Sequence, residues 1–139
     1  MACHAVGTSS ILVKTANNVI GIIMSDYCPD LWVMLKITND TECVYKVLAS
    51  WYGGFVNGDS WKLNSGVTGV TIDENCYLFT GSSGSVYQCH QNNYGMSGYT
   101  TGILNSWIQK LSDNNSDTHI ELLSPDTNFA NIAMYQISE

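Results

Sequence analysis

Leu31-Trp32-Val33-Met34-Leu35-Lys36-Ile37-Thr38, then Asn39-Asp40, then Glu42-Cys43-Val44-Tyr45-Lys46-Val47-Leu48-Ala49-Ser50-Trp51 is the stretch that sets the fold class. Both long runs alternate. A strand sends successive side chains to opposite faces. In the first run Leu31, Val33, Leu35 and Ile37 make a clean apolar face, expected to be the core face. Trp32 and Met34 leave the opposite face partly apolar as well. In the second run Cys43, Tyr45, Val47, Ala49 and Trp51 share one face. Asn39-Asp40 has turn chemistry, so the two runs predict an antiparallel pair.

The same reading extends in both directions. Ile11–Lys14 and Val19–Met24 are β-branched runs around Ala16-Asn17-Asn18, which predicts a hairpin. Pro29 in Tyr27-Cys28-Pro29-Asp30 breaks the ladder, because proline cannot donate to it. Gly53-Gly54, Asn57-Gly58-Asp59 and Asn64-Ser65-Gly66 allow only short strands and loops. Val67–Ile72 and Tyr77–Thr80 read as strands around Asp73-Glu74-Asn75, and Gly81–Gly84 as a tight connection into Ser85–His90. Gln91–Gly102 is polar, Gly-rich and aromatic, and reads as a long surface loop. Ile103–Leu111 reads as a strand or one helical turn, although its apolar residues also fit a helical face. Ile120–Leu123 and Ile132–Ile137 are expected to close the fold. The chain, residues 1–139, is thus expected to be all-β: a single-domain antiparallel β-sandwich of about 8–10 short strands.

Composition narrows the function. Charged residues make up 12% of the chain, with a net charge of −7, five Lys and no Arg. Soluble domains average about 25% charged residues, so neutral polar groups must cover this surface. Five scattered Lys cannot displace counterions from phosphates, which argues against a nucleic-acid partner. No stretch reaches the ~18 consecutive apolar residues of a membrane span. Residues 1–10 lack a basic n-region, and Lys14 interrupts the apolar run after them. The expectation is a cytoplasmic or unconventionally secreted chain, or one numbered from a processed start. The five cysteines, an odd number, do not suggest a complete disulfide framework, and free buried thiols are the plainer reading. Asn39-Asp40-Thr41 and Asn114-Asn115-Ser116 are N-glycosylation acceptor tripeptides, which arise by chance in Asn/Ser/Thr-rich chains.

Catalytic readings find little support. Gly81-Ser82-Ser83-Gly84-Ser85 has the look of a nucleophile loop, but His4 is the only upstream His and the spacing fails the nucleophile elbow. It reads as a turn. Cys3-His4 and Cys89-His90 place adjacent residues on opposite strand faces, so each pair offers a common metal site one ligand. The expectation is a non-enzymatic protein with no catalytic residue, no metal and no cofactor.

The aromatic residues carry more information. Trp51, Tyr52, Phe55 and Trp61 lie within eleven residues, interleaved with Gly, Asn and Asp59; Tyr94 and Tyr99 lie in the polar segment after His90. Amphipathic rings near turns suit sugar stacking or a lipid–water interface. The expected ligand is therefore membrane lipid or a neutral glycan, the latter with Asn92, Asn93 and Asp59 bonding hydroxyls. A self-assembling structural protein, and so a homo-oligomer, is the further alternative.

Ile37-Thr38-Asn39-Asp40-Thr41, Gly58-Asp59-Ser60-Trp61 and Phe79-Thr80-Gly81-Ser82-Ser83-Gly84-Ser85-Val86-Tyr87 together give the chain, across residues 31–89, a look that resembles the aegerolysin and actinoporin-like β-sandwich proteins. That resemblance implies a non-enzymatic protein that recognises membrane lipid, as a toxin or cytolysin component, in some cases beside a larger pore-forming partner. It supplies no counterpart for the C-terminal third.

Overall fold

The computed structural model describes residues 9–14, 20–54 and 58–132. Two antiparallel sheets share one core. The first is four-stranded, in the order β5-β4-β3-β9, with β3 at Leu31–Thr38, β4 at Cys43–Gly54, β5 at Gly58–Leu63 and β9 at His119–Leu122. The second is a meander of β6 (Val67–Asp73), β7 (Cys76–Gly81) and β8 (Val86–His90). The expected N-terminal hairpin forms from β1 (Ser9–Lys14) and β2 (Ile20–Ser25). The chain is thus a mainly β, sandwich-like domain with nine strands among the described residues.

The hairpin at Asn39 follows the sequence reading. Leu31 pairs with Ser50 and Thr38 with Cys43. The Asn39 carboxamide oxygen closes the turn by accepting the backbone N–H groups of Thr41 and Glu42 at 2.8 and 2.9 Å. The Gly/Ser run after Phe79 is a turn too. Gly81 N–H donates to the Ser85 carbonyl, and Gly84 takes φ +96°, a conformation glycine reaches without strain.

The two faces of β3 are both buried, with roles opposite to the sequence expectation. Trp32 and Met34 face the second sheet. They pack with Tyr45, Val47, Trp51, Phe79, Tyr87 and Cys89 in the larger core cluster. Val33 and Leu35 face outward from the sandwich and are buried with Leu48 and Leu104. Leu104 belongs to a 16-residue helix, α1 (Gly98–Asp113), which covers this outer face. The helix corrects the expectation of a long loop followed by a strand or single turn. Ser97 caps it, its hydroxyl accepting the Thr100 N–H, and Thr100 and Leu104 form its buried stripe. Short of the helix, Gln91–Asn93 form a single 3-10 turn.

Trp32 is the hub. It is wholly buried, and the rings of Tyr94, Phe129, Phe79 and Tyr77 lie 4.8, 5.2, 5.4 and 6.0 Å from it. Its indole N–H donates to the His90 carbonyl at 2.7 Å, so its one polar atom is satisfied. Phe129, which opens a second 3-10 turn at Phe129–Asn131, and Ile132, which caps it, seal this core. Ile132 therefore serves as a core plug at a turn; the rest of the strand expected at Ile132–Ile137 lies outside the described residues.

Candidate functional site

The expected aromatic site separates into two groups. Trp51 and Tyr94 belong to the core. Trp51 is buried, and its indole N–H donates to the Cys28 carbonyl at 3.0 Å. The Tyr94 hydroxyl donates to the Leu123 carbonyl at 2.6 Å and accepts the Met34 N–H at 3.1 Å. It thereby ties the segment after β9 to β3. Burial raises the Tyr94 phenol above its usual range, with the Met34 hydrogen bond as the smaller, opposing influence. Both side chains are thus tied into the fold by hydrogen bonds, apart from the exposed aromatic residues.

Tyr52 and Trp61 are surface residues, 58% and 38% exposed. Trp61 sits opposite Ser50 in the β4–β5 register, and alternation along β4 carries Tyr52 to the same face as Leu48 and Ser50. The Tyr52 N–H donates to the Asp30 carboxylate at 2.8 Å, which fixes the strand where its register shifts. Trp107 of α1 leans on Trp61 with ring centroids 5.2 Å apart and planes at 70°, an edge-to-face pair. Trp61 and Trp107 therefore form an aromatic ledge where the helix meets edge strand β5, with exposed Tyr52 on the adjoining strand β4. Tyr99 is 48% exposed on the first turn of α1, and its i, i+4, i+8 spacing puts it on the helix flank of Ile103 and Trp107.

Trp107 is the member that sequence reasoning missed. Its signal was present: Leu104, Trp107, Ile108 and Leu111 recur at helical spacing after a Ser cap. Asp59 lies in β5 two residues before Trp61, and Phe55 lies outside the described residues. Asn92 and Asn93 stand in the 3-10 turn after β8. The nearby cation points elsewhere: Lys62 Nζ sits 5.0 Å over the Tyr27 ring, a cation–π contact on the opposite face of β5 from Trp61.

Two clefts are lined by other residues. One, about 250 Å3, runs between the end of α1 and β9, bordered by Ile108, Leu111, Ile120 and His119. The other, about 350 Å3, is polar and lies between Asn39–Thr41 and Ser116–Thr118. Among the described residues no group of three or more His, Cys, Asp or Glu side chains could hold a metal ion.

Two of the free thiols, Cys76 and Cys89, are held protonated by their surroundings. Cys89 is wholly buried, and burial pushes its thiol well above the usual range. Cys76 is raised too, first by burial, with the Gln88 hydrogen bond pulling the other way. A thiol so placed is a poor nucleophile. His90 accepts the Asn92 N–H through Nδ1 and so caps the 3-10 turn. Cys28 is disulfide-bonded, whereas Cys43, Cys76 and Cys89 are free. Among the described residues no helix is long and apolar enough to cross a membrane. Comparisons with protein-family models, curated proteins and solved structures give no match.

Proposed function

We propose that this is a non-enzymatic binding protein that engages the interface of a lipid membrane through Tyr52, Trp61 and Trp107. The observation that carries the reading is that Trp61 and Trp107 pair edge to face at the surface, with exposed Tyr52 on the adjoining strand, while Trp32 and Trp51 are buried. Tyr and Trp combine apolar area with one polar atom, which suits a lipid–water boundary. The scarcity of positive charge favours neutral or zwitterionic headgroups over anionic ones. The aegerolysin-like look of residues 31–89 supports the same reading, including a role as a toxin component beside a pore-forming partner.

Co-sedimentation with vesicles of phosphatidylcholine, sphingomyelin and cholesterol tests it. Binding is expected, and Trp61→Ala should weaken it about tenfold or more, the loss of roughly one buried aromatic side chain. No binding to any sphingolipid- or sterol-containing vesicle would remove the reading. A neutral glycan is the second reading, favoured by Asp59 and Ser60 preceding Trp61 on the same edge strand. It predicts hits on a glycan array that Trp61→Ala abolishes.

A further inference from the structure

We infer that Asn39 and Asn114 are acceptor sites for N-linked glycans. Each opens an Asn-x-Ser/Thr tripeptide without proline in the middle, Asn39-Asp40-Thr41 and Asn114-Asn115-Ser116. The pattern alone is common. The placement is what lifts both from chance: each Asn is exposed, and each stands in a turn that a transferase can reach. Asn39 begins the β3–β4 turn, and Asn114 is the C-terminal cap of α1, followed by Asn115 at φ +53°.

The Asn39 tripeptide is already folded on itself. Thr41 Oγ1 donates to Asn39 Oδ1 at 3.2 Å, and the Thr41 and Glu42 N–H groups donate to the same oxygen. The oxygen branch of the carboxamide faces the turn, so the nitrogen branch is the one directed away from it. The two acceptors also share a pole of the molecule, because Asn39–Thr41 and Ser116–Thr118 border one polar basin. From Cys43, beside that basin, β4 runs nine residues to Tyr52, about 30 Å at strand rise. A glycan on Asn39 therefore stands at the far end of β4 from Tyr52, while Asn114 caps the helix that carries Trp107. The disulfide at Cys28 is a separate observation in the same direction, since such bonds persist in the oxidising compartments where N-glycans are attached.

The transfer needs a polyprenyl-diphosphate-linked oligosaccharide as co-reactant. The Asn Nδ2 forms a bond to the anomeric carbon of the first sugar. The bond from that carbon to the diphosphate oxygen breaks, the polyprenyl diphosphate leaves with the electron pair, and one amide proton is released.

The test is to direct the full chain into the secretory pathway of cultured animal cells and examine lysate and medium together. Peptide mass spectrometry after amidase release, which turns a glycosylated Asn into Asp, is expected to mark Asn39 and Asn114. Asn39→Gln and Asn114→Gln should each remove one glycan, and the double variant both. Thr41→Ala should empty Asn39 without touching it, while Thr41→Ser should keep it filled. Unmodified Asn39 and Asn114 in chain that carries the Cys28 disulfide would overturn the inference. One empty site would overturn it for that site.

Discussion

Asn64 pairs with Val47 twice: its backbone N–H donates to the Val47 carbonyl at 3.0 Å, and its side-chain Oδ1 accepts the Val47 N–H at 2.7 Å. The side chain thus stands in for Asn64's own carbonyl, the acceptor a continued β4–β5 ladder would offer the Val47 N–H, just as the chain turns away toward β6. Asn64 is buried, so Asn64→Ala leaves the Val47 N–H without its acceptor in a dry place. The expected loss is about 1–3 kcal/mol, the usual cost of an unsatisfied buried donor. Urea unfolding should show a lower midpoint with an unchanged slope.

Gly81 is held against the same carboxamide. A Cβ there would lie 2.9 Å from Ser65 Oγ and 3.1 Å from Asn64 Nδ2. Gly81→Ala should therefore displace Asn64 and cost about 1–3 kcal/mol, in the range of overpacked sites. The two substitutions share the contact with Asn64, while the one with Ser65 Oγ belongs to Gly81→Ala alone. The Asn64→Ala, Gly81→Ala double variant should lose less than the sum of the singles, because alanine at 64 relieves the Asn64 share of the crowding. Strict additivity in a denaturation cycle would show that Gly81 acts independently of Asn64.

The β framework was legible because period-two alternation is written into Leu31–Thr38 and Glu42–Trp51, with turn chemistry between them. Alternation does not say which of two apolar faces meets the other sheet. Trp32 and Met34 won that face since large rings from β7, β8 and the Phe129 turn fill the space opposite them. Helix α1 was obscured by Gly98, Thr100, Thr101 and Gly102, poor helix formers crowded into its first five residues. Its stability comes from burying Leu104 on Val33, Leu35 and Leu48, a long-range contact invisible in local pattern. The candidate site was half legible for the same reason. Tyr52 and Trp61 were identified from composition, but Trp51 and Tyr94 find their partners at Cys28 and Leu123, far along the chain.

The four tryptophans should separate by quenching. Trp32 and Trp51 are enclosed, whereas Trp61 is exposed and Trp107 lies half-buried against it. Acrylamide or iodide should therefore reach one fraction of the emission and leave the rest. Trp61→Phe is expected to remove most of the quenchable fraction with little change in stability, as for other surface substitutions. Trp32→Phe should leave that fraction intact and lower stability, since the His90 carbonyl loses its donor and the core gains a void. Equal quenching before and after Trp61→Phe would contradict the exposed ledge.

Alkaline pH should destabilise the fold, and Cys89 should carry part of the effect. Its folded thiol is held well above the usual 9.0 by burial among apolar groups, with Cys76 adding to the shift. Below 9.0 the thiol is protonated in both states and its share of stability is fully present. Above 9.0 the unfolded chain gives up the proton while the folded chain keeps it, so stability falls as pH rises. Tyr94 and Tyr87, raised above the usual 10.0 by burial, extend the decline to higher pH. Urea midpoints at about pH 8 and about pH 10.5 should differ clearly for the natural chain and less for Cys89→Ala. Thiol labelling at about pH 8 checks the same environments, with exposed Cys43 reacting first, Cys76 slowly and Cys89 only on unfolding.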